Sequence, residues 1–267
     1  MTEPLIAPRI TNNIVRLHRD YFVPAIYAQW AHHIIDLSAI ELGHSILDVA
    51  CGTGTLARAA KLETGFQGKV TGLDVDEKML EAAKQQSTGI EWQSGDATDL
   101  PFEDDQFDRV TCQFALMQIK NRVAATREML RVCKPKGYVC VAVWAPLNHS
   151  KAYTVLVDLV RQYAGFKTAN QLAELWALGE TGRMDSLLLS AGANRYECHE
   201  RPGVVTFPTV DTFVEAHLRA FTDFHSIKRD TYKELLKAAH KDLSPYIISG
   251  GRVAANLDAD IFLIRAD

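Results

Sequence analysis

The sequence predicts a doubly wound α/β fold, and three observations carry that prediction. Ser45 to Val49 is a short apolar run that stops at a glycine-punctuated turn, and Thr55-Leu56-Ala57-Arg58-Ala59-Ala60 continues in good helix formers, giving strand, tight turn and helix. The same alternation of a short apolar run with a segment of helical spacing recurs as far as Trp144. Tyr138 to Trp144 is almost wholly apolar, as expected where helices cover both faces of a parallel sheet.

Taken in order, Thr11 to Ile40 reads as helical, because after Pro24 the residues Tyr27, Trp30, Ile34 and Leu37 recur at helical spacing. Gly68 to Leu73 is a second strand ending at Asp74-Val75-Asp76, and Glu77 to Gln86 is an amphipathic helix with Asp76 as its N-cap. Ile90 to Gln93 makes a third strand leading into Gly95-Asp96-Ala97, and Phe107 to Phe114 a fourth. The helix Asn121 to Cys133 turns Val123, Met129, Leu130 and Cys133 inward and stops at Lys134-Pro135-Lys136-Gly137, before the fifth strand.

After Trp144 the regular alternation ends. Ala152, Val155, Leu156, Leu159, Val160 and Tyr163 form one helical stripe, and Leu172 to Leu178 and Arg183 to Ala191 read as two shorter helices. Asn194 to Cys198 is a sixth strand. Val210, Phe213, Val214, His217, Leu218 and Phe221 mark one further helix, Tyr232, Leu235, Leu236 and Ala239 another, and Asp260 to Arg265 a seventh strand. The expected organisation is one domain over 1–267, with a core of about 41–145 plus the C-terminal strands and a helical cap of about 146–192 and 205–245.

The bulk composition narrows the function. At 267 residues, 47% hydrophobic and 23% charged, the chain can bury one full α/β core. A net charge of -4, a pI near 6.1 and the lack of a Lys/Arg cluster argue against nucleic acid as a partner. Five cysteines, an odd number with no C-x-x-C, argue against a disulfide framework and a zinc site; Cys51, Cys112 and Cys140 fall in or next to predicted core strands. No metal is expected. No run nears the length needed to span a bilayer and the N-terminus has no long apolar stretch, so the expected setting is cytoplasmic.

Charge selects the ligand of the glycine turn. Gly52 and Gly54 lack a Cβ, so a ligand can lie almost on the backbone, facing the amide hydrogens that open the helix. Gly52 to Ala57 matches G-x-G-x-x-G/A, a pattern shared with dinucleotide sites. Asp48, four residues before Gly52, would repel a pyrophosphate and attract a ligand carrying an ammonium and a sulfonium, as S-adenosyl-L-methionine does. Asp74 stands 20 residues after Gly54, where such folds place an acid that takes both ribose hydroxyls.

The string D-V-A-C-G-T-G-T resembles the first signature of class I S-adenosylmethionine-dependent methyltransferases, and the chain is similar to the small-molecule enzymes related to ubiquinone and menaquinone C-methylation. The resemblance is strong over Val23 to Trp144 and only one of pattern beyond. It implies a Rossmann-like, seven-stranded, mostly parallel sheet with helical cap insertions, and S-adenosyl-L-methionine as cofactor. Asp48, Ala50, Gly52 and Gly54 would hold the cofactor at the turn and Asp74 the ribose; Val75 and Met79 would border the adenine ring. Asp96 would accept from the adenine amino group, the Ala97 amide would donate to a ring nitrogen, and Gln113 would lie beside the methionine part. Tyr21 and Trp30 would come from a helical segment folded over the cofactor. Lys136 departs from the family, which usually has Gly in that turn.

The activity implied is in-line methyl transfer to a small, largely apolar acceptor, for which the protein supplies alignment and desolvation, with the cap shaping the acceptor pocket. No catalytic residue is assigned: His18, His149 and His217 are the histidines weighed as a general base, each against a structural or surface role. Two other readings stay open. One is a protein that binds S-adenosylmethionine without transferring methyl; the other is a nicotinamide-dependent oxidoreductase, which the glycine pattern permits and Asp48 and Gly95-Asp96-Ala97 disfavour.

Overall fold

The computed structural model describes residues 13–267, so Thr11 and Asn12 of the expected first helix lie outside the described residues. The expected single helix is a continuous helical path with three segments: α1 (Ile14–Leu17), a π-helical stretch His18–Tyr27, and α2 (Ala28–Ser38). Pro24 sits inside the π-helical stretch. Its ring has no amide hydrogen to give, so a regular α-turn cannot close there and the wider turn accommodates it. At the far end Ala39 takes a left-handed conformation (φ 47), and Arg109 donates from Nε to Ser38 O (2.5 Å) and from Nη2 to Ala39 O (3.0 Å), satisfying the last carbonyls.

β1 (Ser45–Val49), α3 (Thr55–Thr64), β2 (Lys69–Asp74), α4 (Glu77–Gln86), β3 (Glu91–Ser94), β4 (Phe107–Gln113), α5 (Arg122–Val132) and β5 (Cys133–Trp144) follow. The second half contains α6 (Lys151–Ala173), α7 (Arg183–Ala191), β6 (Tyr196–Arg201), β7 (Val204–Phe207), α8 (Val210–Phe221), α9 (Arg229–Asp242), β8 (Val253–Asn256) and β9 (Ala259–Arg265). Seven strands form one sheet in the order β3-β2-β1-β4-β5-β9-β6, with β9 antiparallel to both neighbours and the pairs from β3 to β5 parallel. The order reverses between β1 and β4, so the crevice at their carboxyl ends is the switch point where such sheets take ligands.

Several boundaries differ from the sequence reading. Leu172 to Leu178 is not a separate helix: α6 runs on to Ala173 across a break at Gly165 (φ 87), and a 3-10 turn Glu174–Trp176 ends it. The sixth strand starts at Tyr196 rather than Asn194, and β5 begins at Cys133, directly after α5. β7 and β8 make a separate two-stranded antiparallel sheet that the sequence reading lacks.

The chain divides into two compact units. The sheet unit comprises Ile26–Pro146, Leu175–Pro202 and Asp258–Asp267. It therefore includes α7, which the sequence reading put in the cap; Met184, Leu187, Leu188 and Ala191 are buried, and Arg127 Nη2 donates to Ser190 O at 2.6 Å. The helical unit holds the chain up to Ala25, Leu147–Glu174 and Gly203–Leu257. Its interior is aromatic: Phe22, Tyr153, Phe207 and Phe213 surround His217 with ring centroids 4.9 to 5.2 Å away. No helix among the described residues is long and apolar enough to cross a membrane.

Candidate functional site

The switch point is built by the carboxyl ends of β1, β2 and β4. β1 delivers Asp48 and Val49 and breaks at Ala50, whose φ of 55 is the left-handed region. Gly52 (φ 55) and Gly54 (φ 79) continue in that region, and Gly54 opens α3 with no side-chain cap of its own, while the Ala57 amide of the first turn acts on the Asp48 carboxyl. The turn is pinned to β2: Cys51 N donates to Leu73 O (2.9 Å) and Gly52 N to Asp74 Oδ2 (2.7 Å). Asp74 Oδ1 accepts from Asp76 N (2.9 Å), so two backbone amides fix this carboxylate at the tip of β2. Asp76 in turn caps α4 by accepting from Lys78 N (2.9 Å).

Asp48 is 1% exposed. Its Oδ1 accepts from Thr111 Oγ1 at 3.1 Å across the β1–β4 pair, whereas its Oδ2 is buried with no hydrogen-bond partner. Burial raises this carboxyl and the neighbouring Asp74 adds to it, while the Thr111 hydroxyl, the Ala57 amide and Arg58 draw it back, leaving it at about 7. Burial also raises Asp74. Two desolvated carboxylates at one glycine turn suit a cationic ligand and would reject a pyrophosphate, and the partnerless oxygen of Asp48 is the atom such a cation would satisfy. The residues present therefore fit S-adenosylmethionine.

The remaining expected residues belong to the sheet unit, except one. Val75 is exposed beyond Asp74, Met79 is half-buried on α4, and Ala97 is buried. Asp96 is exposed; its Oδ1 accepts from Thr98 N and Thr98 Oγ1, each at 2.8 Å, which holds the carboxylate below its usual range. Gln113 ends β4, and its Nε2 donates to Tyr27 O (2.8 Å). Phe114 then turns left-handed (φ 52) and stacks on Trp144 at 3.5 Å. Trp30 is fully buried, edge-on to both rings, so its indole is part of this unit's interior. Tyr21 is the exception, belonging to the helical unit.

Of the histidines, His149 is exposed after β5. His18 opens the π-helical stretch. His217 is 2% exposed, and because a carbonyl only accepts, its Nδ1 must donate to Phe213 O (2.6 Å). Burial lowers its pKa to about 4, so the ring is neutral and interior.

Two residues at the site escape the sequence reading. Thr111, a hydroxyl within a core strand two positions before Gln113, carries a weak signal: a lone polar residue between Val110 and Cys112. Trp92 carries none; its indole covers Gly54 and Gly72, and a Cβ on Gly72 would fall 2.5 Å from the ring. Among the described residues no cluster of metal-ligating side chains is present.

Residues 47–141 match the methyltransferase-domain family. The YcgJ protein of Bacillus subtilis has a similar fold, with a TM-score of 0.62 at 19% identity over 90% of this chain and 100% of that one. Sheet order, turn and domain match together place the fold among class I methyltransferases. The chain is 41% identical to a demethylmenaquinone methyltransferase of Staphylococcus epidermidis over 113 residues, 41% of this chain and 47% of that protein, so this match spans about half of the relative. Against a ubiquinone/menaquinone biosynthesis C-methyltransferase of Pseudomonas putida it is 32% identical over 199 residues, 68% of this chain and 78% of the relative. The chain belongs to the class I S-adenosylmethionine-dependent methyltransferases, in the branch that includes the ubiquinone/menaquinone biosynthesis C-methyltransferases.

Proposed function

We propose that this protein moves the methyl group of S-adenosylmethionine to a small, largely apolar acceptor of the quinone-precursor type. The observation that carries the cofactor half of this reading is Asp48, a buried carboxylate with one oxygen left without a partner at a glycine turn. The acceptor half is supported by the relatives named above, whose names place them in quinone biosynthesis.

When bound, the cofactor supplies a methyl group on a positively charged sulfur, so the chain's own residues need only bind, orient and exclude water. Asp48 faces the cationic end, with Ala50, Gly52 and Gly54 as the floor. Asp74, already oriented by the Gly52 and Asp76 amides, takes the ribose hydroxyls. Asp96 and the Ala97 amide read the adenine edge between Val75 and Met79, and Gln113 stands at the methionine part. Trp30 shapes this region from behind, and Tyr21 serves within the helical unit. No side chain is assigned as general base, and His217, enclosed and with its basicity lowered by burial, is unsuited to the task. The five free cysteines support a reducing, cytoplasmic setting, and the net charge of -4 supports a small-molecule partner rather than nucleic acid.

The test is calorimetry with S-adenosylmethionine and NADH in parallel, followed by incubation with isotopically labelled cofactor and a panel of alkylated hydroquinones. Saturable binding of the first ligand alone and label in a hydroquinone product are the expected results. Binding of NADH instead, or cofactor binding with no label in any acceptor, would overturn the reading or its acceptor half.

A further inference from the structure

We propose that Thr111 is the positioning residue of Asp48, holding one carboxylate oxygen so that the other is presented to the cationic end of the cofactor. This rests on the reading of S-adenosylmethionine as the ligand. Thr111 is fully buried and lies directly opposite Asp48 in the β1–β4 pair, so the two side chains share a face of the sheet. Its Oγ1 is 3.1 Å from Asp48 Oδ1 and 3.3 Å from Leu47 O.

A hydroxyl has one proton and these are two acceptors, so its direction is set by the state of Asp48. With Asp48 ionised, Thr111 donates to Oδ1. With Asp48 protonated on Oδ1, the carboxyl donates to Oγ1 and Thr111 donates to Leu47 O. The same side chain satisfies both states and keeps the carboxyl in one orientation, leaving Oδ2 as the partnerless atom. A methyl in place of the hydroxyl satisfies neither, and the greater cost falls on the ionised form that a cation needs, because a hydrogen bond to a carboxylate is stronger than one to a neutral carboxyl.

The charged and titratable groups that face Asp48 are Asp74 on β2, Arg58 on α3, Cys51 in the turn and Cys112 on β4. Arg58, with Nη1 donating to Thr53 O at 2.5 Å, is the cation among them, and Asp74 opposes it. Both thiols are raised far above neutrality by burial, so they stay protonated over the range in which Asp48 titrates.

The experiment is calorimetric binding of S-adenosylmethionine to the wild-type protein and to Thr111→Val, Thr111→Ala and Thr111→Ser between about pH 6 and pH 9. Thr111→Val is expected to bind about tenfold more weakly near pH 7, the loss of one hydrogen bond to a charged group, and to recover toward wild type at the alkaline end. Thr111→Ala repeats the loss without the β-branched methyl should the valine variant fold poorly, and Thr111→Ser should restore wild-type binding. Equal affinity in Thr111→Val and wild type, or a deficit of the same size at every pH, would overturn the positioning role. Absence of binding by the wild-type protein at any pH would instead remove the cofactor reading beneath it.

Discussion

The indole of Trp92 fills the space that a side chain on Gly54 would need: a Cβ built there falls 2.3 Å from the ring. The close approach that the sequence assigns to a ligand at this glycine is thus made on one side by the protein itself. Trp92 also lies over Gly72, directly beside it in the β2–β3 pair, so one large ring is accommodated by two residues without side chains.

Gly54→Ala should therefore act on stability as well as on binding. The left-handed φ of 79 and the overlap with Trp92 together cost about 3 kcal/mol. Chemical unfolding of Gly54→Ala, of Trp92→Ala and of the double variant checks this, with Gly54→Ala measured against the Trp92→Ala background. The second substitution should recover the steric part and leave the backbone part, whereas additive losses would show that the two positions do not meet.

Asp74→Ala removes the acceptor of the Gly52 and Asp76 amides along with the proposed ribose contact. Cofactor affinity should fall by about 1–3 kcal/mol, and the variant should also unfold at lower denaturant because the turn loses its tie to β2. Calorimetry and urea titration separate the effects; unchanged affinity would take Asp74 out of the site.

His217 should make the protein sensitive to acid. Its folded pKa of about 4 lies below the ordinary value of 6.5, so the unfolded chain binds the proton more tightly than the folded one. The stability it contributes is complete above about pH 6.5 and is lost as pH falls toward 4, by up to about 3 kcal/mol. Thermal scans should show His217→Phe losing less stability than wild type across that window; parallel curves would refute the assignment.

Lys136 holds φ 67, in the left-handed region that favours glycine. Lys136→Gly should relieve that strain and raise stability by about 0.5–1 kcal/mol, read as an increase in Tm of a few degrees. A lower Tm would mean that the lysine side chain contributes more than its backbone costs.

The part of the site made of local pattern was legible in the sequence. Strand, glycine turn and helix around Asp48, and the acid at the tip of β2, follow from residues close along the chain. Thr111 was not, because its meaning depends on the register that sets it opposite Asp48. Nor was Trp92, whose neighbours Gly54 and Gly72 are gathered from separate elements. β7 and β8 are four residues each and pair across the whole of α8 and α9, so neither shows a local alternation long enough to stand out. The amphipathic spacing of α7 says that it packs, not on what, so the sequence alone does not separate it from the cap.

The placement of β9 between β5 and β6 ties completion of the sheet to the order of synthesis. Among the described residues β6 pairs only with β9, and the segment from Gly203 to Leu257 is made in between. On the ribosome, β1 to β5 can assemble while β5 still presents an open edge and β6 has nothing to join. That edge closes only with Ala259–Arg265, and because β8 ends at Asn256, with only Leu257 and Asp258 between, the last strand of the helical unit and the strand that closes the sheet become available almost together.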